Sequence, residues 1–140
     1  MATSMEGKAR LVRGVSFRAA HHYRRREWSA EENQRVFGSQ AIPHEHDWRV
    51  EVHVVGPVDP DTGWCTDLVA LDKALADLME GWDGGDLNAL VPQVSEGMMP
   101  STENLARWLH ERLTGRVSPP AEVVEVRVFE SLDLGSAFPP

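Results

Sequence analysis

From His46 to Val55 the chain alternates with a period of two, setting Trp48, Val50, Val52 and Val54 on one side and Arg49, Glu51 and His53 on the other. An extended strand sends successive side chains to opposite faces, so this segment has one apolar and one charged face. Such a strand belongs in an antiparallel sheet covered on one side only. Something apolar must therefore lie over it, and the chain supplies two helices. Leu68, Leu71, Leu75, Leu78 and Met79 recur at helical spacing, with Asp72, Lys73, Asp77 and Glu80 opposite. Thr66 or Asp67 caps the start of that helix, and Gly81, Gly84 and Gly85 stop it. The second helix starts at Ser101, with Glu103 in its first turn. It buries Leu105, Trp108, Leu109 and Leu113 and ends at Gly115 and the Pro119-Pro120 pair.

Further strands flank this unit. Residues 8 to 20 read as extended, and Val15, Phe17, Ala19 and His21 point one way. Residues 24 to 38 form a polar excursion with a short helical turn around Ala30 to Val36, and the turn formers from Gly56 to Gly63 make a connection. Val124, Val126 and Val128 alternate with Glu125, Arg127 and Phe129 in a third strand, and a short last strand lies near Ala137-Phe138. The order strand, strand, helix, helix, strand, strand is an α+β arrangement, with two helices on one face of an antiparallel sheet. At 140 residues the expectation is one domain over positions 1 to 140.

Composition excludes several classes of function. A formal charge of −8 argues against a nucleic-acid-binding surface. Arg24-Arg25-Arg26 is the local exception and reads as a solvated loop cluster. No apolar run is long enough to span a membrane, and the amino terminus, MATSMEGKAR, has no apolar stretch of an export signal. The single cysteine, Cys65, forms no internal disulfide and suits a reducing compartment, so the expected location is the cytoplasm.

The histidines carry the chemistry. His44 and His46 are two apart, so in an extended segment both rings project from one side. His21 closes the first strand on the face of Phe17 and Ala19, and pairing of the two strands would gather all three rings at one end of the sheet. Three neutral imidazoles with an open fourth position is the arrangement of a catalytic zinc. An H-x-H pair also occurs as two unrelated surface residues, and spacing does not choose between these. His22 should face the opposite way, towards solvent or as a donor behind the site, whereas His53 and His110 read as surface positions.

Five segments in order resemble one family. Phe17-Arg18-Ala19-Ala20-His21 resembles the F-x-A-A-H segment of 6-pyruvoyl-tetrahydropterin and 6-carboxy-tetrahydropterin synthases, and His44-Glu45-His46-Asp47-Trp48 resembles their H-G-H strand. Gly63-Trp64-Cys65-Thr66-Asp67-Leu68, Pro100-Ser101-Thr102-Glu103-Asn104-Leu105-Ala106 and Val126-Arg127-Val128-Phe129-Glu130-Ser131 resemble G-M-V-x-D-F, P-T-x-E-N-L-A and V-x-V-x-E-T. The resemblance implies the tunnelling fold, in which four-stranded antiparallel sheets from several subunits join into a barrel. It implies a trimer or hexamer with active sites at subunit interfaces. It also implies Zn2+ held by His21, His44 and His46, and a small-molecule substrate whose amino and ring N–H groups meet Glu130. Thr102 and Glu103, with Ser101, are expected to line the pocket, although helix capping also accounts for them.

Two of the family's proton-transfer positions differ. Gln40 stands where the usual cysteine precedes the histidine pair, and Gly84 stands for the histidine of L-D-H-x-x-L-N, here Trp82-Asp83-Gly84-Gly85-Asp86-Leu87-Asn88. Glutamine cannot take a proton at neutral pH. Cys65 aligns with a hydrophobic position and is expected to be buried. Asp83 or Asp86 is the expected substitute, while Glu45 should point away from the metal. Three readings follow. The first is a zinc-dependent lyase or cyclase with altered proton-transfer groups. The second is a zinc- and ligand-binding homologue without catalysis. The third is 6-carboxy-tetrahydropterin synthesis with substitute groups.

Overall fold

The computed structural model describes residues 7–140. Most of the amino-terminal segment read for an export signal lies outside the described residues. Strands β1 (Lys8–His21) and β2 (His44–Pro57) pair antiparallel along their whole length, from Lys8 opposite Pro57 to His21 opposite His44. The excursion between them holds helix α1 (Ala30–Phe37) and a 3-10 turn, Gly38–Ala41. Asn33, buried in this loop, accepts from the Arg25 N–H and donates to the carbonyls of Arg25, Trp28 and Ser29. Helix α2 (Leu68–Leu78) begins at Asp67, whose side chain accepts from the Ala70 N–H. Strand β3 (Gly85–Asp86) and the short helices α3 (Leu87–Leu90) and α4 (Pro92–Ser95) follow. Helix α5 (Thr102–Thr114) is capped by Ser101, and β4 (Glu122–Phe129) and β5 (Gly135–Phe138) complete the sheet.

Among the described residues the sheet order is β3-β1-β2-β4-β5, five strands rather than the expected four. The addition is β3, a two-residue parallel contact with Ala19 and Ala20 inside the glycine segment expected only to stop a helix. Backbone geometry explains it. Gly84 adopts φ +79°, a left-handed conformation natural to glycine, and its N–H donates to the Arg18 carbonyl at 2.6 Å. A Cβ on Gly85 would collide with the Gly81 carbonyl and Leu90.

One sheet face packs against α2 and α5. Val50, Val52, Val54, Leu105, Leu109 and Leu113 are fully buried there, and Phe17, Trp48, Trp82 and Trp108 form a chain of aromatic contacts leading to the histidine end. Cys65 is buried, and Arg24, Arg25 and Arg26 are exposed, as expected. Among the described residues no helix is long and apolar enough to cross a membrane.

Two readings need correction. The register of β2 against β4 shifts between His53 and Val54, leaving Val124 as an extra residue. Val123, not Val124, therefore joins Val126 and Val128 in the core. His53 is not a surface residue but is only 5% exposed. It is enclosed on the open face of the sheet by Arg10, 3.2 Å from its Nδ1, and Glu51, 3.2 Å from its Nε2, with Glu125 beside them. His110 is half-buried, with Nε2 3.2 Å from the Val123 carbonyl.

The bulge gives a direct test. Val123→Ala should cost about 2 kcal/mol by urea unfolding, because two buried methyl groups are lost, and Val124→Ala less than half of that. The reverse order would contradict the bulge.

Candidate metal centre and adjoining pocket

The β1–β2 register places His21 directly opposite His44, with His46 opposite Ala19. The three rings lie 4.6 to 5.1 Å apart, centroid to centroid. The indole of Trp48 braces them. Its Nε1–H donates to the Ala19 carbonyl at 3.0 Å, and its ring stands edge-on to His21 and His46. Nδ1 of His21 is 2.9 Å from the Pro100 carbonyl, and Nδ1 of His44 is 2.7 Å from the Ile42 carbonyl. A carbonyl only accepts, so both Nδ1 atoms carry the proton and both Nε2 atoms present a lone pair. Burial, chiefly, pushes the His21 imidazole down to about 4, which keeps it neutral at physiological pH.

All three Nε2 atoms are buried without a hydrogen-bond partner among the described residues, as is Oε2 of Glu130. Together the four atoms lie within 4.8 Å of one another. Buried polar atoms are almost always satisfied; Glu130 Oε2 lies 2.9 Å from His46 Nε2, but the Nε2 atoms of His21 and His44, with their protons on Nδ1, are acceptors that a cation would satisfy. Neutral imidazoles and a carboxylate are donors that suit zinc, so the residues fit the ion the sequence resemblance implies.

Glu130 follows β4 and is 8% exposed. A cavity of about 660 Å³ reaches His46 and Glu130 at its edge but is lined mainly by residues of the open sheet face, Arg18, Glu45, Asp47, Arg49 and Glu51. Thr102 and Glu103, at the start of α5, form a small network with Ser136 of β5. The Thr102 hydroxyl lies 2.8 Å from Glu103 Oε1 and 2.6 Å from the Ser136 hydroxyl, which is itself 3.2 Å from the same carboxylate oxygen. Glu103's own backbone N–H, and then the Thr102 hydroxyl, hold its carboxyl below the usual range.

Asp83 and Asp86 are not among the four clustered residues, and each has a backbone partner. Asp83 Oδ1 accepts from the Arg18 N–H at 3.0 Å, and Asp86 Oδ1 accepts from the Asn88 N–H at 3.0 Å. Gly84 lies between them at the left-handed turn. A histidine in that conformation would be strained, and the Gly84 backbone instead makes its contact to β1. Gln40 is exposed on the 3-10 turn, and its carbonyl accepts from the Tyr23 N–H. Glu45 points to the other face, as expected, and its carboxylate takes the Arg18 guanidinium at 2.9 Å. His22 departs from expectation: it is half-buried, and its Nδ1 finds no protein partner among the described residues.

Two residues were missed from sequence. Tyr23 sits with its ring 5.4 Å from His21 and stacks on Phe37. Burial first, then the charges of Glu130 and Glu103, push its phenol up to about 12, so it stays protonated near neutrality and keeps an O–H to donate. The signal was present, since Tyr23 continues the alternation of Phe17, Ala19 and His21. Asn88 clamps the end of β1 by accepting from the His22 N–H and donating to the His22 carbonyl, both at 2.9 Å.

The family model for 6-pyruvoyl tetrahydropterin synthase matches residues 10–138. The chain belongs to the 6-pyruvoyl tetrahydropterin synthase family. It is 32% identical over 127 residues to the human 6-pyruvoyl tetrahydrobiopterin synthase, covering 89% of this chain and 86% of that one. It is 27% identical over 128 residues to a dihydroneopterin monophosphate aldolase of Pyrococcus furiosus, covering 91% and 95%. The solved 6-pyruvoyl tetrahydropterin synthase of Caenorhabditis elegans superimposes with a TM-score of 0.82 at 26% identity, covering 94% of both chains. Family membership thus accounts for the α+β architecture.

Asn88→Ala should lower stability by about 1–2 kcal/mol in chemical denaturation, because it leaves two backbone groups of His22 unpaired. A change below about 0.3 kcal/mol would show that the clamp does not hold β1.

Proposed function

We propose that the chain is a zinc-dependent lyase acting on a pterin-like small molecule with an oxygenated side chain. The observation that carries this reading is the convergence of His21, His44, His46 and Glu130, whose ligand atoms all lie within 4.8 Å of one another. The named activities of the relatives, a pterin synthase and an aldolase of a dihydroneopterin phosphate, support the substrate class.

When bound, the metal supplies Lewis acidity towards a substrate oxygen. The protein does the rest. Glu130 accepts from paired N–H groups on the substrate's ring edge, for which a carboxylate is the matching acceptor. Thr102 and Glu103, held in their network with Ser136 and not bordering the cavity beside Glu130, would meet the substrate only from the start of α5, and the protonated phenol of Tyr23 would donate to a substrate oxygen. Asp83 or Asp86 moves the proton in place of the groups absent at Gln40 and Gly84. Each is bonded through Oδ1 only, which leaves Oδ2 without a partner among the described residues. Both are exposed, so they would serve a site completed by a neighbouring subunit.

A homo-oligomer, trimer or hexamer, fits the open edge of β1. From Lys8 to Arg18 no strand pairs with its outer side among the described residues, and closure by a neighbour would remove that liability. The acidic balance and the lone buried cysteine suit a small-molecule enzyme of the cytoplasm, without nucleic acid or membrane as partner.

A second reading, a homologue that binds metal and ligand without turnover, is favoured by one observation. Glu130 Oε2 lies among the imidazoles, where it would complete a closed set of four protein ligands. The zinc-loaded protein incubated with dihydroneopterin triphosphate, with products resolved by chromatography and mass spectrometry, separates the two. Repeated turnover to a product altered in the side chain is expected, and either Asp83→Asn or Asp86→Asn should slow it by about 100-fold or more. Tight binding with no product would favour the second reading, and 6-carboxy-tetrahydropterin as product would identify 6-carboxy-tetrahydropterin synthesis run with substitute groups.

A further inference from the structure

Glu130 stands where its expected partner, a substrate ring edge, does not account for its geometry. Its Oε2 lies 2.9 Å from His46 Nε2 and 3.3 Å from His21 Nε2. Because His21 gives its one proton to the Pro100 carbonyl, its Nε2 is an acceptor facing another acceptor. Two buried acceptors at that separation repel unless a cation lies between them. Zinc bonds of about 2.0–2.2 Å in a tetrahedron put neighbouring donor atoms about 3.3–3.6 Å apart, a range that the 3.3 Å from His21 meets and the 2.9 Å from His46 falls short of.

The carboxylate is otherwise unrestrained. Among the described residues it accepts no hydrogen bond from any arginine, lysine, hydroxyl or backbone N–H, which is unusual for a buried acid. Only its backbone is fixed, through the Glu130 N–H to the Leu134 carbonyl, which closes the exposed turn after β4. His46 has a quarter of its side chain exposed, and the adjoining cavity borders both residues, so there is space for the carboxylate to leave.

We propose that Glu130 is the fourth protein ligand of the metal in the substrate-free chain and that an incoming substrate displaces it. This rests on the metal-dependent reading above and deepens it. A productive ligand must bring an oxygen donor to take the vacated position and N–H donors to receive the freed carboxylate. Molecules with only one of these leave the exchange incomplete, so Glu130 selects for oxygenated side chains attached to N–H-bearing rings. One residue then acts both as a closure of the metal site and as a reader of the substrate.

Cobalt(II) reports on this directly, since its visible absorption depends on coordination. Protein stripped and reloaded with cobalt is compared with Glu130→Gln and Glu130→Asp, using chelator competition for affinity and azide as an added ligand. Loss of the carboxylate in Glu130→Gln should weaken cobalt binding at least tenfold, change the visible band and tighten azide binding at least tenfold. Glu130→Asp, with its carboxylate drawn back, should fall between, and circular dichroism identifies a variant that has not folded. Cobalt affinity, band and azide response in both folded variants equal to those of the unaltered protein would overturn the proposal and leave Glu130 paired with His46 alone. Failure of the unaltered protein itself to bind cobalt would overturn the metal-dependent reading together with this one.

Discussion

The register of β1 against β2 is the constraint on which the remaining structure depends. Fourteen residues of each strand pair without interruption, and the last pair is His21 opposite His44. A slip of one residue would send the entire apolar set of β2 to the open face and scatter the imidazoles. The core therefore fixes the site: Val50, Val52 and Val54 under α5 hold the register that brings His44 and His46 to His21. Trp48 couples the two directly, buried among the core side chains while its indole N–H holds the β1 backbone one strand away.

The site inverts the usual economy of a protein interior. Elsewhere among the described residues, His22 Nδ1 apart, buried polar side-chain atoms have partners, as in Asn33, which makes four hydrogen bonds. At the histidine end three ring nitrogens and a carboxylate oxygen converge with no hydrogen-bonding group among the described residues to serve them beyond one another. Burial disfavours charge on His21, and the carbonyls of Pro100 and Ile42 fix the tautomers, so the arrangement is organised in advance for a positive ion. The second buried histidine environment, around His53, is the opposite case, with Arg10, Glu51 and Glu125 supplying partners on both ring nitrogens.

Sequence disclosed what periodicity and local chemistry control. The alternation of β2, the stripes of α2 and α5, the caps at Asp67 and Ser101 and the shared side of the histidines all follow from spacing. What it concealed depends on tertiary context. The bulge at Val123 and Val124 arises from pairing with β2, and β3 is made by glycine backbone rather than by any side-chain pattern. His53 looked exposed because its neighbours are charged, yet those charges are what enclose it. Tyr23 was hidden by the polar loop that follows it. The position of Glu130 among the imidazoles depends on the turn after β4, which no local pattern specifies.

The central claim is that the three imidazoles hold one divalent cation. Elemental analysis by mass spectrometry of protein purified without chelators tests it most directly, with His44→Ala purified alongside. The account predicts about one zinc per chain in the unaltered protein and little in the variant. Absence of stoichiometric metal, or equal metal in both proteins, would contradict it.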